Sequence, residues 1–292
     1  MSLPELFRHE NRFVGCLSIR RVKRLKSGDR LATATSAIVV SAADEAEWNS
    51  IADTALFRVG TGQYDYSIMT QALDYESLGH CPALGEDNRC TIHDNRKPAV
   101  CSMVPFEALY PDSLQGWVLL NRILEENCIV SGQREGYPVV VSAQRVDSDG
   151  YRQAIARRRE DLQLEKHGWG NAVFSLLWKD LFSDPAEAAR IPVEGFFSLS
   201  IVPVLLVLAG VSEQCRDRCL RYLDSQVVLI DEKVRLAIAR KSALDKPITR
   251  QFRSFKEAYL KLRPQIQAMQ GFQSGESAGE TRAEELELYL GS

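Results

Sequence analysis

No two of the seven cysteines stand three residues apart, so the CxxC knuckle of an ordinary zinc site is missing. There is no Cx3Cx2C radical motif, and no glycine-rich strand–GxGxxG–helix loop to hold a nucleotide. No Ser/His/Asp order or paired-carboxylate motif stands out either. Net charge is only −3, so no global field draws the chain to nucleic acid or to a membrane, and neither is an expected partner. The N-terminal region has no apolar signal core, and a cytoplasmic protein is the expectation. The longest apolar run, residues 195–210 (GFFSLSIVPVLLVLAG), falls short of the roughly 20 residues of a spanning helix. Pro203 also sits in its middle, and a fully buried core helix is expected there. In a reducing compartment, an odd number of cysteines points to metal, catalysis or burial instead of disulfides.

What is present is enough for a globular protein. The chain has 292 residues, 45% of them apolar, a length for one large domain or two ordinary ones. Residues 1–30 carry a run of bases that includes Arg8, Arg12, Arg20, Arg21, Arg24 and Arg30, more simply a solvated strand face than an anion site. Strands are expected over 13–19 and 31–40, paired as a hairpin through the turn 27–29. Ser41, with Asp44 three residues later, predicts a helix to about Leu56. A loop over 60–66 and a short helix over 66–73 follow. From Leu78 to Pro111, Gly, Pro, Asp and Asn recur too often for long regular elements. Helical spacing returns over 117–126, and 137–143 looks extended.

Past Asp147 the pattern is helical. Helices are expected over 150–166, broken by Gly168, then over 171–182, with a turn at Asp184-Pro185. A long helix over 212–241 follows, with Leu220, Leu223, Val227, Ile230, Val234 and Ile238 as its core stripe. A last one over 249–269 contains Pro264. Residues 271–292 are rich in Gly, Ser and Glu and suggest an acidic, mostly disordered tail with a helical turn at 283–290.

The chemistry lies in the irregular part. Cys81, Cys90, Cys101 and Cys128 fall in one 48-residue window, separated by eight, ten and twenty-six residues. Thiolates are soft ligands, and zinc or an iron–sulfur cluster takes four of them. A turn-rich segment poor in apolar burial is also where a metal would do the fixing. His80 and His93 lie beside two of the cysteines and could replace or orient one. Cys215 and Cys219, four apart on the long helix, could ligate a metal or form a redox pair. Arg216, Arg218 and Arg221 nearby would lower a thiol pKa, although simple packing accounts for the pair as well. Cys16 is expected as a buried strand residue.

Cys81-Pro82-Ala83-Leu84, Arg89-Cys90-Thr91-Ile92-His93, Pro98-Ala99-Val100-Cys101 and Pro105-Phe106 together resemble the second half of the CxxCxxCC cysteine-cluster family, which is described as zinc- or iron-chelating. Cys128 matches the family's later cysteine, and residues 41–56 resemble the helix that precedes the cluster. In place of the name-giving CxxCxxCC block there is only Cys16, and His93 replaces the usual Tyr. The resemblance extends to flagellin lysine-N-methylases, and so implies a 4Fe–4S cluster, S-adenosylmethionine and a protein substrate.

Taken together, the expectation is a mainly α protein with a small irregular α+β cysteine-cluster domain. Residues 1–146 would form the metal-binding domain, 147–270 a helical domain, and 271–292 the tail. Three functions remain open. The first is a protein that holds one four-Cys iron–sulfur cluster or Zn²⁺. The second is a lysine-N-methylase-like enzyme that uses S-adenosylmethionine on a partner protein. The third is an interaction module whose metal is purely structural.

Overall fold

The computed structural model describes residues 1–33, 36–93, 97–122, 139–193, 195–269 and 277–291, of which 122 and 277–283 in backbone only. Helix α1 (Leu3–Arg8) opens with a capping box in which the Ser2 amide donates to Glu5 at 2.7 Å. Strand β1 spans Val14–Lys23. Strands β2 (Arg30–Ala32) and β3 (Ala37–Val39) pair with each other, Arg30 opposite Val39. The expected single strand over 31–40, paired with 13–19, is therefore replaced by a fold-back. Its polar middle supplies the reason: Thr33 and Ser36 bond to each other through backbone and hydroxyl at 2.8–2.9 Å.

Helix α2 (Ala42–Ala55) starts at Ser41 as its sequence predicts, with the Ser41 amide donating to Asp44 at 2.7 Å. Its last turn has no basic residue of its own. Lys166 fills that role by donating to the carbonyls of Asp53 and Leu56 at 2.7 and 2.6 Å. Strand β4 (Phe57–Arg58) leads to β5 (Tyr64–Leu73), where a short helix is the expectation from sequence. Asp65, Tyr66, Ser67 and Ile68 are all buried. A strand covered on both faces has no two-residue alternation, and that hides it from pattern reading.

Helices α3 (Ala99–Met103) and α4 (Gln115–Arg122) follow, then the hairpin β6 (Val141–Ser142) and β7 (Arg145–Val146). Helix α5 (Asp149–Glu165) does not break at Gly168. A wider π-type turn over Lys166–Gly170 carries it into α6 (Asn171–Leu177), and a second such turn, Trp178–Phe182, follows. Asp184-Pro185 starts α7 (Pro185–Arg190), with the Asp184 carboxylate accepting from Ala186 at 2.8 Å.

The apolar run 195–210 is not one buried helix. Strand β8 (Phe197–Ser200) precedes α8 (Val202–Ala209), and Phe197 is 41% exposed. Pro203 lies in the first turn of α8, where its missing amide costs nothing. No helix among the described residues is long and apolar enough to cross a membrane. The chain ends in α9 (Glu213–Arg240), α10 (Lys246–Ala268) and α11 (Ser277–Gly291), the last including the expected turn at 283–290. The protein is mainly α with a small β part.

The residues cluster into two compact units. The first comprises 1–20, 68–96 and 167–292, and the second 21–67 and 97–166. In the first unit β1 lies between β5 and β8, with Cys16 opposite Ser200 and Ile19 opposite Phe197. Its core takes Leu6 and Phe7 from α1, Leu205 and Leu208 from α8, and Phe252, Tyr259 and Ile266 from α10, all at most 1% exposed. Each contributes about 1.5–3 kcal/mol by leaving water. The buried face of α9 includes Leu223, Ile230 and Val234 of the expected stripe but is not confined to it. Cys215, Cys219, Tyr222, Gln226 and Ala237 are buried, whereas Ile238 is 56% exposed. Gln226 can be there because three backbone groups answer its amide: it donates to the carbonyls of Glu10 and Phe13 and accepts from the Gly15 amide.

In the second unit Trp48 and Ile51 of α2, and Ile155 and Leu162 of α5, are buried. Lys23, Lys26 and Arg30 of the basic run are exposed, as a solvated face would have them, while Arg21 and Arg24 are tied into this unit. Arg24 grips the buried Asp65 at 2.7 and 2.9 Å, and Arg21 lies over the Tyr64 ring.

Candidate metal centre

Cys81 and Cys90 occupy the two arms of one short loop. The 3-10 turn Glu76–Leu78 ends at Gly79, whose φ of 64° a residue with a Cβ rarely adopts. The chain then folds back on itself. Leu84 donates to the Cys81 carbonyl at 2.9 Å, Gly85 to Arg89 at 2.8 Å and Thr91 to Ala83 at 2.8 Å, and Leu84 bridges Cys90 in antiparallel fashion. Ala83 and Ile92 bury one side of the loop. Arg12 holds the whole from outside, donating to the Pro82 carbonyl at 3.2 Å and the Thr91 hydroxyl at 2.9 Å. Within the basic run, Arg12 is thus a structural strut for the loop, which nothing in its local sequence marks.

Cys81 is exposed and Cys90 half-buried, and neither is in a disulfide. The Ala83 amide donates to Cys81 Sγ at 3.4 Å. Hydrogen bonds of this kind tune metal–sulfur centres. His80 and His93 are exposed beside the loop, with His80 Nδ1 3.2 Å from the Cys81 carbonyl oxygen.

Cys101 is exposed on α3, in the second unit, with its amide bonded to the Pro98 carbonyl at 2.9 Å. Cys128 lies outside the described residues. Among the described residues, no three His, Cys, Asp or Glu side chains are grouped to hold a metal ion.

The other three cysteines are of a different kind. Cys16 is buried on β1 as expected, and burial pushes its thiol up to about 12. Cys215 and Cys219 are at most 1% exposed. Burial raises both thiols, and at Cys219 it outweighs the Arg218 charge. The expected lowering by neighbouring arginines is therefore reversed. Arg218 is itself occupied, bonded to Glu10 at 2.6 Å and lying over the Phe7 ring. Buried neutral thiols are poor nucleophiles and poor ligands.

The chain matches no family model, no curated protein and no solved structure.

A second feature escaped sequence reading: a cavity of about 620 Å³ in the second unit, lined by Asp44, Glu47, Asp112, Arg145 and Arg159 among others. Its charges largely answer one another. Arg159 meets Asp112 at 3.0 Å and the Tyr110 carbonyl at 2.7 Å. Burial raises the Asp44 carboxyl, but hydrogen bonds from Ser113 and Ser41, with the Arg145 charge, together hold it below the usual range. Here ion pairing within the cavity wall ties α2 to α5 and leaves few groups for a ligand.

Proposed function

We propose that the chain holds one soft metal centre, an iron–sulfur cluster or else a Zn²⁺ ion, through Cys81, Cys90, Cys101 and Cys128. The observation that carries this reading is the Cys81–Cys90 loop, with two accessible thiols in one braced turn and a backbone N–H directed at sulfur. Accessibility sorts the described cysteines in the same way: Cys81, Cys90 and Cys101 are exposed or half-buried, and Cys16, Cys215 and Cys219 are buried. Four thiolates suit either centre, and both would cross-link a segment with little regular structure of its own.

Anaerobic purification with iron, sulfide and zinc analysis tests this. About one four-iron cluster, or one zinc, per chain is expected, falling sharply in Cys81→Ser and Cys90→Ser but not in Cys16→Ala. A protein free of both metals after anaerobic isolation would sink the reading. Arg12→Ala should weaken metal retention without removing a ligand, because it releases both ties on the loop. An enzyme that uses S-adenosylmethionine on a partner protein, as the family resemblance implies, would show calorimetric binding of that molecule. A structural metal in an interaction module would not.

A further inference from the structure

Helix α11 is weakly made. It carries four glutamates against one arginine, and three of them, Glu284, Glu285 and Glu287, lie in its second half, where the helix dipole disfavours negative charge. Its last turn has no basic residue to offset them. Fifteen such residues are a marginal helix in water, so the order of α11 depends on what it packs against.

Its hold there is slight. Of residues 284–291 only Leu286 is buried, and Leu288 is 78% exposed. Leu286 rests on Gly168, where a Cβ would come within 2.9 Å of its Cδ2. Glu284, Glu285 and Glu287 make no ion pair or hydrogen bond among the described residues. Helix α9, by contrast, buries residues on every turn from Cys215 to Ala237. A segment with so few buried contacts opens locally, without unfolding of the core.

What α11 covers gives its opening a consequence. A cavity of about 320 Å³ lies where α11 meets α1 and α9. Arg8 of α1 and Cys215, Arg218 and Arg221 of α9 line one side, and Glu287 and Leu290 of α11 the other. Cys215 is only 1% exposed with that wall in place. Burial raises its thiol, and the Glu287 charge adds to the effect. Lifting α11 takes Glu287 away and opens the cavity to water, while the three arginines stay. A thiol in water among cations is a reactive one. Cys219, one turn along α9, is fully buried and is not in the cavity wall.

We propose that α11 is a releasable cover that switches Cys215 between a sealed thiol and an accessible one set among Arg8, Arg218 and Arg221. The switch is independent of the metal centre.

Alkylation of the full chain by iodoacetamide, with Cys215 and Cys219 read separately by mass spectrometry of digested peptides, is the test. In the wild type Cys215 should react at least about tenfold faster than Cys219, because it needs only the local opening. Leu286→Asp removes the anchor of α11, and Gly168→Val fills the space in which that anchor rests. Each should speed Cys215 at least about fivefold and leave Cys219 unchanged. Hydrogen exchange of the wild type checks the cover without any substitution: the amides of Leu286–Leu290 should exchange at least about a hundredfold faster than those of Leu223–Ile230 on α9. The proposal is overturned if Cys215 and Cys219 react in step in the wild type, if neither variant speeds Cys215, if both cysteines speed up together in the variants, or if α11 is protected from exchange as strongly as α9.

Discussion

Replacing Gln226 by Leu should cost about 3 kcal/mol of stability. The side chain is fully buried on α9. Its amide donates to the Glu10 carbonyl at 2.7 Å and the Phe13 carbonyl at 3.0 Å, and its oxygen accepts from the Gly15 amide at 3.0 Å. Leucine fills much of the same space, so little of the loss is cavity. What remains is three backbone groups without partners. Phe13 and Gly15 are buried, and each orphaned group costs about 1–3 kcal/mol; Glu10 is only partly buried and water can replace its bond at a smaller cost. Gln226→Glu should be worse near neutral pH, because a carboxylate oxygen then faces two carbonyls in a dry site. Urea denaturation followed by circular dichroism gives the free-energy change, and hydrogen exchange at the Gly15 amide localises it. If Gln226→Leu lies within about 0.5 kcal/mol of the wild type, the three bonds do not anchor the turn between α1 and β1. The same turn carries Arg12, so a loosened Gln226 variant should also grip the Cys81–Cys90 loop less firmly.

Other outcomes follow from packing and titration. A Cβ at Gly15 would overlap the Tyr222 hydroxyl, so Gly15→Ala should destabilise by about 1–3 kcal/mol. Gly15→Ala/Tyr222→Phe should regain part of that in the same denaturation assay, and no recovery would point to a backbone cause. In the metal-free protein, iodoacetamide at pH 8 should modify Cys81, Cys90 and Cys101 while Cys16 and Cys219 stay protected until unfolding; mass spectrometry of digested peptides reads this directly. The Cys16 thiol is raised from 9.0 to about 12 in the folded protein, so its contribution to stability is full below pH 9 and is lost as pH rises toward 12. Cys16→Ala should flatten that alkaline decline, and an unchanged slope would show that other groups set it.

Sequence reading went furthest where the signal is local. The capping pair Ser41 and Asp44 marks the start of α2, and Ser212 marks that of α9, because a cap is a bond between residues three apart. The irregularity of 78–111 was equally legible from its turn formers. Reading failed where the partner is distant. Strand β5 looks helical until both of its faces are seen to be covered. Pro203 looks like an interruption until a strand is found before it and a helix beginning at it. The α9 stripe is legible only in part, at Leu223, Ile230 and Val234, because hydrophobicity alone cannot place a buried glutamine, whose bonds run to residues more than two hundred positions away.

The sequence by itself determined that the chain is mainly helical, that its longest apolar run falls short of spanning length, and that four thiols crowd one turn-rich window. Composition, spacing and local capping carry that information without help from distant residues. Only the tertiary structure decided which thiols meet water and which are sealed and neutral, because desolvation depends on what packs around each sulfur. It also decided that Arg12 braces the cysteine loop and that Gln226 can be buried on α9. Both facts arise from groups that the fold brings together, or leaves apart, across long stretches of chain.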